Sequence, residues 1–125
     1  MAIVDIELVV QEGKDPYLGQ EQIQSIADTL GRIFETKPNR TWVKIRYLPG
    51  GQYAQNEAPD AVAALPAFIT VLKNRPPAPD QMAGQMSAIA RELAPIIGRP
   101  AASIHVLYEA SARGRLGIGG VLDGG

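Results

Sequence analysis

The chain uses one unit twice, and that doubling constrains its fold more than any single motif does. Lys37-Pro38-Asn39-Arg40-Thr41-Trp42-Val43-Lys44-Ile45-Arg46-Tyr47 echoes Arg99-Pro100-Ala101-Ala102-Ser103-Ile104-His105-Val106-Leu107-Tyr108. The offset is 62 residues at the prolines and 61 along the stretch that follows. In each copy a basic-Pro pair ends a helical stretch and leads into an alternating strand. Upstream, Ile23, Ile26, Ala27, Leu30, Ile33 and Phe34 recur at helical spacing and predict a helix from Gln20 to Thr36. Met82, Met86, Ile89, Leu93 and Ile96 or Ile97 draw the same face between Asp80 and Gly98. Asp80, after Pro76-Pro77-Ala78-Pro79, reads as an N-cap, and Gly98 followed by Pro100 reads as a stop. Pro95 predicts that this helix bends or ends early.

A strand precedes each helix, Ile3 to Val10 and Ala67 to Lys73. The order is therefore β-α-β, a linker over Pro49 to Leu65, then β-α-β. Repeat one spans about 2–48 and repeat two about 66–125, within one domain of 125 residues. Strands joined by a helical crossover run parallel, and right-handed crossovers put both helices on one sheet face. Alternation assigns that face: Val4, Ile6, Leu8 and Val10, Val43, Ile45 and Tyr47, and Ile104, Val106 and Tyr108 point toward the helices. The other face carries Asp5, Glu7, Trp42, Lys44, Arg46, His105, Leu107 and Glu109. A monomer leaves such a face wet; an oligomer buries it with its charges paired.

Composition removes whole classes of function. A net charge of −1 gives no footprint for nucleic acid or for an anionic membrane. There is no cysteine, hence no disulfide framework, thiolate metal site or thiol nucleophile, and His105 is the single histidine. No apolar run approaches a membrane span, and the acids near Met1-Ala2-Ile3-Val4-Asp5-Ile6-Glu7 do not suit a signal peptide. The expected location is cytoplasmic.

The last stretch, from Ser103 to Leu122, carries a resemblance. Its alternating strand, its turn at Gly114, and then Gly117-Ile118-Gly119-Gly120 and Leu122 resemble, without a gap, the carboxy-terminal strand and hairpin of the 4-oxalocrotonate tautomerase family. The doubled unit resembles the longer, fused two-repeat members of that superfamily, the macrophage migration inhibitory factor and 5-carboxymethyl-2-hydroxymuconate isomerase groups. The resemblance spans nearly the whole chain. It implies an α+β fold, a four-stranded mixed sheet with two helices on one face, and a homotrimer whose sheets form a central barrel. It implies no cofactor and no metal.

The resemblance also implies a chemistry. Members of this superfamily use an amino-terminal proline, exposed by loss of the initiator Met, to shuttle a proton between carbon and oxygen of an enol acid. This chain has Ala2 at that place, and Pro66, at the matching start of repeat two, is internal and has no free amine. Met removal would give Ala2 a primary amine with a reference pKa of about 7.7–8.0, able to act as a base or to form a Schiff base. A retained Met1 would shift the amine by about 3.5 Å.

Other positions carry over from the family. His105 and its first-repeat counterpart Lys44 stand where a substrate-binding arginine is expected. Lys37 matches a pocket lysine, and Arg75, after the third strand, lies near a carboxylate-binding arginine. His105, Lys44 and Lys37 also have structural readings: an interface histidine, Lys44 and Arg46 paired with Asp5 and Glu7, and Lys37 complementing a helix C-terminus. Tyr53 lies in a linker that either folds over the pocket or merely connects the halves. The expected substrate is a small carboxylate-bearing keto or enol acid, with no nucleic-acid or membrane partner. Two alternatives stay open: a tautomerase-fold protein without amine chemistry that serves as a binding or assembly module, and a ferredoxin-like binding domain.

Overall fold

Period-two alternation in the first strand builds the core. The computed structural model describes residues 1–14, 16–60 and 64–123. Strand β1, Ala2–Val10, buries Ala2, Val4, Ile6 and Leu8 on one face. It lies at the centre of a four-stranded sheet of order β2-β1-β3-β4, where β2 is Thr41–Pro49, β3 is Ala67–Lys73 and β4 is Ile104–Tyr108. β1 pairs parallel with β2, β3 parallel with β4, and β1 antiparallel with β3. Each repeat thus forms its own parallel pair, and the two pairs join antiparallel into one mixed sheet.

Both helices lie on the face predicted for them. Helix α1, Gln20–Phe34, buries Ile26, Leu30 and Phe34, and helix α2, Pro79–Ile97, buries Ile89, Leu93 and Ile97. These side chains join Val4, Ile6, Ile69, Val71 and Ile104 in one apolar cluster drawn from both repeats. Fully burying one such side chain stabilises by about 1.5–3 kcal/mol. No helix among the described residues is long and apolar enough to cross a membrane.

Three local expectations change. Ala78, not Asp80, is the N-cap of α2; Pro79 takes the first helical position, where its missing N–H is no loss, and Asp80 complements the dipole in the first turn. Pro95 does not end the helix early. The turn closes through N–H donation from Gly98 and Arg99 to the Ala94 carbonyl at 2.9 and 3.1 Å, with Ile97 packed in the core. Gly98, read from the sequence as a stop, is the C-cap and takes the left-handed conformation at φ 78°. Helix α1 stops at Phe34, because Glu35 turns left-handed at φ 56° and its N–H and that of Thr36 close onto the Arg32 and Gly31 carbonyls.

Beyond β4 the chain keeps pairing with β3: Glu109 N–H donates to Val71 and Ala112 N–H to Lys73. The predicted hairpin follows, with β5 Gly117–Ile118 antiparallel to β6 Val121–Leu122. Gly119 and Gly120 between them both have positive φ, as a two-residue turn of the primed type requires. The expected linker leaves β2 as a short 3-10 turn at Gly50–Gln52. Its Ala61, Val62 and Ala63 lie outside the described residues, as do Gly124 and Gly125 at the end of repeat two.

Candidate active site

Chain segments that meet at one end of the strands converge on the amino terminus. At the exit of α1, Lys37-Pro38-Asn39-Arg40 closes a turn through Arg40 N–H donating to the Lys37 carbonyl at 3.2 Å. Proline presets the second position of such a turn, and Asn39, at φ 64°, tolerates the left-handed third. The turn thereby sets two cations, Lys37 and Arg40, close together. Its last carbonyl, that of Arg40, accepts from the Ala2 N–H at 2.9 Å and so anchors the start of β1 beside it.

β3 supplies the other wall. Its inward row Ala67, Ile69 and Val71 continues to Lys73, which is paired across the sheet with Ala2. Lys73 is 8% exposed, and its ammonium lies over the Phe34 ring, 4.6 Å from the centroid. Asn74, also buried, is fixed by Ser111 Oγ donating to its carbonyl at 2.7 Å. Its side-chain amide donates to Asp123 Oδ2 at 2.7 Å, which draws the carboxy-terminal tail into the wall.

Together these residues line an open cleft-like cavity of about 550 Å³. The amino terminus of Met1, Phe34, Lys73 and Asn74 form its inner part, and Lys37, Arg40 and Arg75 add three cations. Glu35 and Asp123 are its acids. The terminal amine donates to Asn74 Oδ1 at 3.5 Å. Burial, with Lys73, Arg40 and Arg75 nearby, holds that amine below its ordinary value, while Asp123 pulls the other way. Burial likewise lowers the Lys73 ammonium, opposed by Glu35. Both amines are therefore more often neutral than free ones, which is the form that takes a proton or attacks a carbonyl. A larger cleft of about 960 Å³, open to a similar degree, runs beside it along α1 and shares Glu35, Thr36 and Lys37, but neither amine lines it.

Of the residues singled out from sequence, Lys37 and Arg75 share this cavity with the amino terminus. Ala2 is fully buried and, with Met1 attached, its nitrogen is a strand amide bonded to Arg40. Lys44 and His105 lie on the opposite sheet face, on the two edge strands. Lys44 Nζ stands 3.2 Å from Asp5 Oδ1 and Arg46 Nη1 3.8 Å from the same atom, so the expected ion pair forms with Asp5. The His105 ring lies tilted against Phe68 with centroids 5.3 Å apart, and Tyr53 approaches Phe68 from the linker at 5.8 Å. Tyr53 therefore sits over the helix-free face and away from the cavity.

Lys73, Arg40, Asn74 and Asp123 were not singled out from the sequence. Lys73 had a signal, a lysine at an inward position of a buried strand; Arg40 had the Pro-Asn turn before it. Asn74 and Asp123 meet only through the path of the tail.

The fold is that of the tautomerase superfamily. A fused 4-OT, a wild-type symmetric trimer, superimposes with a TM-score of 0.76 at 11% identity, covering 98% of this chain and 95% of that one. The macrophage migration inhibitory factor of Trichinella spiralis gives 0.70 at 15% identity, over 95% of this chain and 97% of that one. FG41 malonate semialdehyde decarboxylase, inhibited by 3-bromopropiolate, gives 0.61 at 16% identity, over 86% and 81%. No protein-family model matches the sequence, and no curated protein matches it.

Proposed function

We propose that this chain is a tautomerase or isomerase acting on small, enolisable 2-oxo acids in the cavity at its amino terminus. The observation that carries the reading is the meeting of a weakened terminal amine, that of Met1, with Lys37, Arg40 and Arg75 in one cleft. Fold alone does not supply it, because one fold hosts many chemistries.

The cations suit the substrate carboxylate, since charge-assisted hydrogen bonds hold it and stabilise the charge that develops on the dienolate. The amine then takes a proton from carbon and returns it to oxygen, or the reverse. With Met1 removed, the terminal amine is instead the Ala2 nitrogen, beside the Arg40 carbonyl and in the place where the family carries proline. The proposed assembly is a homotrimer, in keeping with the fused 4-OT trimers of the same fold. In it, Lys44 and His105 of one subunit face a neighbour, which is how they would take part in substrate binding.

The second reading, a binding or assembly module without amine chemistry, is favoured by one observation: the Ala2 nitrogen is an amide committed to the sheet while Met1 is attached. Intact mass separates the two when read beside ketonisation of phenylenolpyruvate with the terminal amine free and blocked. Loss of Met1 together with turnover abolished by blocking supports the enzyme. Retained Met1 with no turnover above buffer supports the module.

A further inference from the structure

We propose that Lys73 is a second reactive amine, one that forms a Schiff base with the carbonyl of a 2-oxo acid bound in the same cavity. The proposal rests on the reading of this cavity as a 2-oxo acid site but assigns a different residue and a covalent step.

The geometry singles Lys73 out. It ends the inward row of β3, directly across from Ala2, so strand parity directs it beneath α1 and away from bulk water. Its ammonium faces the Phe34 ring and has no carboxylate within ion-pairing distance among the described residues. The surface lysine Lys44, by contrast, is held by Asp5. A lysine with little solvent around it gives up its proton more readily, and a neutral amine is the nucleophile a carbonyl needs. The charged groups that line the same cleft are the Met1 amine, Arg40, Arg75 and Lys37 on the cationic side, with Glu35 and Asp123 on the acidic side. Burial lowers the Lys73 ammonium and Glu35 opposes it.

The step balances without an outside reagent. The Nζ lone pair adds to C2 of the oxo acid, and a proton passes from nitrogen to oxygen to give the carbinolamine. Proton transfer from solvent to the hydroxyl and loss of water give the iminium, the carboxylate remaining beside Arg75, and that proton is returned when water later releases the lysine. The iminium acidifies C3–H; its loss gives an enamine, reprotonation restores the iminium, and water releases the oxo acid and the free lysine. The activity expected is therefore exchange of C3 hydrogens with solvent.

The test uses the full chain with pyruvate and cyanoborohydride, followed by peptide mapping of the reduced adduct. A companion measurement asks whether pyruvate competes with phenylenolpyruvate in the ketonisation assay, and deuterium exchange at the pyruvate methyl is followed by NMR. The expected result is an adduct on Lys73, lost in Lys73→Met and in Lys73→Arg, with methyl exchange lost in parallel. An adduct confined to the terminal amine overturns the role of Lys73 while leaving the cavity assignment intact, as does competition by pyruvate with no adduct at all. Neither adduct nor competition overturns both. Mapping is done on the native chain, so the assignment survives any failure of the variants to fold.

Discussion

At the scale of single residues, Tyr108 illustrates how burial turns into a pH effect. Its hydroxyl donates to Gln85 Oε1 under α2, and burial pushes the phenol up to about 12 from 10.0. The folded chain therefore favours the protonated phenol. That advantage is intact below pH 10 and fades as pH rises toward 12. Denaturant titrations at pH 8, 10 and 11 are expected to show stability falling above pH 10, with a shallower fall in Tyr108→Phe. At neutral pH the same variant is expected to lose about 0.5–1.5 kcal/mol with the hydrogen bond. The cavity residues show what a sequence discloses and what it hides. Lys37 and Arg75 stand just past the ends of predicted elements, so their neighbourhood was legible from topology. Lys73 was legible by parity, since it follows Ala67, Ile69 and Val71 at every second place, although no role attaches to it from that alone. The Asn74–Asp123 bond joins residues 49 apart in the chain and had no local signature.

At the scale of elements, the periodic segments were readable and their ends less so. Strand β3 has its predicted bounds, and α1 and α2 have their predicted apolar faces. The errors fall where two capping solutions compete. Asp80 is a good N-cap residue, but Pro79 fits the first helical turn better than any position outside it, which moves the cap to Ala78. Pro95 costs one hydrogen bond close to the end of α2, and Gly98 replaces it with a left-handed closure. That closure is testable. Gly98→Ala places a Cβ at φ 78° and is expected to cost about 1–2 kcal/mol, read as a lower denaturation midpoint. Gly98→Asn is expected to lose less, because Asn tolerates the left-handed region.

At the scale of the whole molecule, the order β2-β1-β3-β4 leaves one face of the sheet without helices. That face mixes the Asp5, Lys44 and Arg46 cluster with the Phe68–His105 pair and Leu107, which is 61% exposed. The hairpin adds Val121 and Leu122, exposed at 70% and 62%. Apolar groups standing in solvent beside paired charges suit burial against another copy. Sedimentation is expected to give a trimer, and Leu107→Glu to shift it toward monomer; a monomer at every concentration would contradict the proposed assembly. The central claim is narrower, that the amino-terminal cavity binds a 2-oxo acid through its cations and turns it over. Arg75 tests it most directly, since it lines the cavity without packing into the core. Ketonisation of phenylenolpyruvate should run above the buffer rate in the native chain, and kcat/KM should fall about tenfold to a hundredfold in Arg75→Ala. Equal rates in the two proteins, or a native chain no faster than buffer between pH 6 and about 9, would contradict it.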